Sequence, residues 1–236
     1  MPAVRVLASF LRGARAVLAP ALLALAATPV LAVPFAVQIG PERVVLDTPP
    51  GFSDAMAHGS PRLNELAEML TSPSNKILVF AISDADMRRF NTGERLSLRR
   101  YMLVATPKGM ERTDVASEDF QRIVTESLRE LGKPPGTADY MKFLEEQPVG
   151  RAHLLKELRR EPAFVSILQG SKLPPDPRIF DKRLDEYMLQ TVTVMLARGR
   201  ALNLSVYTGY GSPADLDWLA DTTRWWVEEL RRLNRR

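Results

Sequence analysis

The chain has 236 residues, no cysteine and only two histidines. Without cysteine there are no disulfides, no thiolate nucleophile and no thiolate metal site. A lipid-anchored start of the bacterial kind is excluded for the same reason. His58 and His153 lie far apart in the sequence and make a poor basis for a metal cluster. Either could act alone as a general base, but no nucleophile and orienting carboxylate stand beside it. Glycine-rich dinucleotide and phosphate-loop motifs are missing. "GYGS" at 209–212 is not a G-x-S-x-G elbow; Ser212 reads better as a helix cap. Beyond the first 32 residues no run is apolar enough to span a membrane.

Those first 32 residues have a character of their own. They carry Arg5, Arg12 and Arg15, no acid, an apolar run from Ala16 to Ala27, and Val30-Leu31-Ala32. Basic, apolar and small-residue regions in that order predict a secretory signal peptide cleaved after Ala32. Cleavage changes the charge balance. The whole chain has 32 basic and 28 acidic residues; without the three arginines 29 face 28. A body so nearly neutral gives no electrostatic footprint for nucleic acid. Export predicts a periplasmic location. The remaining length is enough to stabilise a core without disulfides.

Residues 33–236 are expected to form one α+β domain. Phe35 to Ile39 and Arg43 to Asp47 read as a hairpin across Gly40-Pro41-Glu42. Ser60-Pro61 starts a helix with Leu63, Leu66, Ala67 and Leu70 on one face. Lys76 to Ser83 is a central strand, apolar on both faces. Ser97 to Thr106 is a second strand, and Ser117 to Leu131 a helix whose buried stripe is Phe120, Ile123, Val124, Leu128 and Leu131. Tyr187 to Thr208 alternates as a hairpin turning at Arg198-Gly199. A last helix begins at Ser212-Pro213 and carries all three tryptophans, with Trp218 and Trp225 extending its sheet-facing side at one edge and Trp226 toward the other. Residues 132–177 read as a helical insertion, with short helices in "TADYMKFLEEQ" and "GRAHLLKELRREPAF". Paired strands without strict βα alternation predict an antiparallel or mixed central sheet covered by helices.

The stretch "SDADMRRF" at 83–90 follows directly on the central strand. Asp84 and Asp86 are either the cap and first turn of a short helix or binding groups at a strand end. Two carboxylates at that spacing do not complete a cation site, and no metal or cofactor is expected. Arg88 and Arg89, with Arg99 and Arg100, are candidates for an anion-binding patch, since the guanidinium fork suits carboxylate and phosphate. Adjacent arginines on a strand point to opposite faces, so only one of Arg99 and Arg100 is expected to join. Tyr101 either supports that patch or packs. Trp218 is either core or partner surface.

The segments "FAVQIGPERVVLDTPPGF", "KILVFAI", "YMLQTVTVMLARGRALNLSVYT" and "SPADLDWLADTTRWWVEELRRL" come in an order that resembles the PsbP/Mog1-like α/β sandwich group. The chain also resembles exported proteins of Gram-negative bacteria. The resemblance implies a sandwich fold and, from its members, an accessory or binding role; it transfers no functional residue. The expectation is a non-catalytic periplasmic binding or accessory protein of the cell envelope, meeting an envelope protein or a small anionic ligand. The alternative is a hydrolase of an envelope substrate, built from dispersed acids, serines or a histidine; an open cleft joining either histidine to Asp84 or Asp86 would favour it.

Overall fold

The computed structural model describes residues 33–174 and 186–235, all within one compact unit. The expected signal peptide and residues 175–177 of the expected insertion lie outside the described residues.

A short hairpin comes first, β1 (Phe35–Ile39) with β2 (Glu42–Leu46). Next come β3 (Phe52–Asp54), α1 (Pro61–Met69), β4 (Asn75–Ser83), α2 (Asp84–Asn91) and β5 (Arg100–Pro107). After α3 (Ser117–Glu130) and α4 (Tyr140–Glu145) the chain returns as β6 (Ala152–Glu161) and β7 (Phe164–Lys172). It ends with β8 (Tyr187–Ala197), β9 (Arg200–Gly209) and α5 (Pro213–Leu233). Seven strands form one sheet in the order β3-β4-β5-β9-β8-β7-β6, every neighbouring pair antiparallel. The fold is α+β, a large antiparallel sheet with helices on both faces.

Strand periodicity explains the two covers. Val79 and Ala81 of β4 and Met102 and Val104 of β5 face α5 and the β1–β2 hairpin. Their alternates Phe80, Ile82, Tyr101 and Leu103 face α1 and α2. Farther along that second face, α3 sets Phe120 and Val124 on Val165, Ile167 and Ala201. The central strands are therefore apolar on both sides because both sides are covered. Helix α5 buries Leu219, Thr223, Trp226, Val227 and Leu230. Thr223 donates to the Leu219 carbonyl at 2.7 Å and meets the Thr191 hydroxyl at 2.5 Å, so its oxygen is not left unpaired in the core. Asn234, just past the helix, bonds both the N–H and the carbonyl of Val45 at 2.9 and 2.7 Å, tying the hairpin to α5.

Two expectations need correction. "GRAHLLKELRREPAF" is not a helix: it supplies β6 and the start of β7, so 152–172 belongs to the main sheet and, among the described residues, only α4 is helical in that region. The strand is disguised because its pairing with β7 shifts between Leu154 and Lys156 and again between Glu157 and Arg159. Each bulge adds a residue and breaks the two-residue alternation. What remains, Leu154-Leu155 and Leu158 among charges, imitates a helical stripe, whereas Leu154 packs under α3 and Leu155 on the α5 side. The second correction concerns tryptophan. Trp226 is the fully buried one and Trp225 is exposed, because 219, 223, 226 and 230 follow the inward line of the helix.

Candidate functional site

The site is built at one end of the sheet, where β4 finishes, β5 begins and β9 hands over to α5. Ser83 ends β4 and caps α2, its hydroxyl oxygen accepting from the Asp86 N–H at 3.1 Å and its O–H donating to Asp86 Oδ2 at 3.0 Å. A serine hydroxyl that accepts the N–H three residues on is a stabilising helix cap. Asp86 is buried and accepts three more bonds: from Arg89 Nη1 at 3.1 Å and from the backbone N–H groups of Ser97 and Leu98 at 2.8 and 3.3 Å. It therefore fastens the segment that leads into β5. Asp84 does something separate: its Oδ1 accepts from Ser53 Oγ at 2.7 Å, holding α2 against β3. The two carboxylates do not converge on a common point of contact. Among the described residues no group of three or more His, Asp or Glu side chains could hold a metal ion.

The segment fastened by Asp86 contains Leu98, whose φ of +49° lies in the left-handed region. That turn, just before β5 starts at Arg100, corrects the expectation for the arginine pair. Arg99 is outside the strand, so strand alternation does not separate it from Arg100. Both reach Asp215 in the first turn of α5: Arg99 Nη2 at 3.3 Å from each oxygen, Arg100 Nη2 at 3.1 Å from Oδ1. Asp215 also accepts the Gly211 and Ser212 N–H groups at 3.1 Å each. The Arg100 guanidinium lies 4.1 Å from the centre of the Trp218 ring, which in turn leans on Phe52 at 6.1 Å. Cation–π contact of this kind suits a flat, weakly hydrated guanidinium.

The electrostatics are lopsided. Asp215 has a side chain 4% exposed, whereas Arg99 and Arg100 are 32% and 34% exposed. One buried negative charge thus holds two accessible positive ones. Burial alone pushes the Asp215 carboxyl up, but the Gly211 N–H and the two guanidiniums outweigh it and hold it below its ordinary value. A carboxylate depressed in the folded state contributes stability that is full above its unfolded value, 3.8, and lost as pH falls through the lower folded value. Asp215→Asn should therefore be clearly less stable than the parent at pH 7, with the gap closing below about pH 3.5. Urea midpoints measured from pH 7 to 2.5 check this; a gap independent of pH would assign the loss to packing.

The other sequence candidates lie elsewhere in character. Arg88 is exposed on α2, and Arg89 is drawn onto Asp86. Tyr101 is buried in the sheet, stacked on Tyr207 at 4.5 Å with its hydroxyl toward Met188 Sδ at 3.8 Å. Burial holds its hydroxyl far above the ordinary value. It packs under α1 and α2 rather than beside the arginines. His58 meets Asn91 at 3.1 Å and His153 packs its ring edge against Phe143, so neither histidine has Asp84 or Asp86 as its hydrogen-bond partner. Sequence reasoning missed the hub, Asp215, and the aromatic floor, Phe52. Asp215 carried a signal, an acid three residues after a capping serine, but that signal speaks only of the helix start.

No family model and no curated protein matches the chain. Among solved structures it is similar to the Ran-binding protein Mog1p of Saccharomyces cerevisiae, at 12% identity and a TM-score of 0.35, over 86% of this chain and 93% of that one. This is a distant structural likeness and nothing more specific.

Proposed function

We propose that the chain is a non-catalytic binding or accessory protein of the bacterial cell envelope, working in the periplasm, and that the Arg99–Arg100–Trp218 corner receives an anionic group of its ligand or partner. One observation carries this reading: two accessible guanidiniums share a single buried carboxylate, which leaves net positive charge beside an aromatic ring. Asp215 and Trp218 hold Arg100 in place before anything binds, so little ordering entropy is lost on recognition. The periplasmic part of the reading is supported by the leader-like first 32 residues.

Native mass spectrometry of the mature protein, recovered gently from its own envelope fraction, tests the proposal. The expected spectrum holds an adduct, either a small anionic molecule or a protein. In Arg100→Ala that adduct should weaken at least about tenfold, as expected when a central anchoring arginine is lost. Arg99 still partners Asp215 in this variant, so the fold should survive. A bare monomer from the parent chain, or an adduct indifferent to the substitution, would sink the reading.

A further inference from the structure

The opposite end of β9 holds a charge with no counterpart among the described residues. Arg200, the first residue of β9, is only 4% exposed, and among the described residues neither its Nε nor its Nη1 has a hydrogen-bond partner. No ion pair involving it is found there either. Nε and Nη1 together leave three buried N–H donors of this guanidinium unmatched. Leaving such a group uncompensated is among the costlier things a folded chain can do. One water molecule accepts two hydrogen bonds and brings no charge. An oxyanion accepts more and neutralises.

Arg198 strengthens the case. It precedes Gly199 in the two-residue turn between β8 and β9, and its own Nε is buried without a partner. Its φ is +52° and that of Gly199 is +76°. Turns with two positive φ values favour Asn-Gly, so an arginine here is held against its backbone preference. The segment before α3 packs down on this turn. Val115 N–H donates to the Gly199 carbonyl at 3.0 Å, and a Cβ at position 199 would run into the Asp114 carboxylate. Asp114 itself is exposed, so it does not neutralise Arg200 from inside. Lys76 nearby is already matched by Glu111 at 2.8 Å.

We infer that Arg200, at the start of β9, and Arg198, in the β8–β9 turn, together hold a small oxyanion. Nε and Nη1 of Arg200 are out of reach of solvent, so the ion enters when the packing around them opens. Inorganic phosphate is the probe. In about 50 mM phosphate the chain should melt about 3 °C or more above its Tm in potassium chloride of equal ionic strength. Arg200→Met should abolish the difference, and its Tm in chloride should equal or exceed the parent's, because a buried unmatched charge has gone. Arg198→Asn, which suits the turn better, should raise the Tm in chloride and cut the phosphate response by more than about half. Arg100→Ala should keep the full response, which separates this site from the corner at the other end of the sheet. No phosphate effect on the parent chain would overturn the inference, and so would an effect that survives in Arg200→Met or vanishes in Arg100→Ala.

Discussion

Trp226→Ala should cost about 4 kcal/mol of unfolding free energy, within the range for deleting a large buried aromatic. Trp226 has no exposed surface, and its indole N–H donates to the Asp47 carbonyl at 2.8 Å. The substitution therefore opens a cavity beneath α5 and strips a buried carbonyl of its donor, two penalties that add. Trp226→Phe should recover most of the packing and leave the second penalty, about 1–2 kcal/mol. Trp225→Ala, one residue away but on the solvent side, should stay within about 0.5 kcal/mol of the parent. Urea unfolding followed by far-ultraviolet circular dichroism measures all three. Equal losses at 225 and 226 would mean that α5 is rotated from the position described.

Asp86→Ala should be nearly as damaging, at about 3 kcal/mol, because one short side chain answers a hydroxyl, a guanidinium and two backbone donors. The Ser97 and Leu98 amides lose their acceptor together, and the left-handed turn at Leu98 loses its restraint. The loss should thus be local as well as global. Hydrogen exchange at residues 97 and 98 should accelerate far more than in the β8–β9 ladder, which opens only with the whole fold. Because that segment carries Arg99, any ligand of the corner should also bind more weakly. Protection at 97 and 98 unchanged from the parent would reduce Asp86 to an ordinary helix cap.

What could be read from the sequence divides along the range of the interactions. Ser83 with Asp86 and Ser212 with Asp215 are contacts between residues three apart, so the helix starts were legible. The β8–β9 hairpin was legible too, since its alternation and its turn lie in one continuous run. Strand β6 was hidden because two bulges erased the period on which recognition of a strand depends. Strand β3 was hidden because three residues are too few to show a period at all. The corner at Asp215 joins residues 115 and 116 positions apart, and no local pattern announces a pairing of that length. Arg99 was misjudged through a single assumption, that the strand began before it. A shift of a few residues in a strand start reverses which side chains can meet. The strand-end acids were ambiguous for a different reason: a capping carboxylate and a binding carboxylate have the same sequence signature until their partners are visible.

Among the described strands, β6 forms one rim of the seven-stranded sheet and β3 the other. A rim normally offers a row of unused backbone groups to any passing strand. Here the three-residue rim is too short to recruit one. The long rim changes register twice and exposes Lys156, Glu157, Arg159 and Arg160. An incoming chain would find no long uninterrupted run to match, and it would meet charge along the way. The β6 rim is thus guarded against strand exchange and filament growth. Along β6, recognition by annexing a strand is disfavoured.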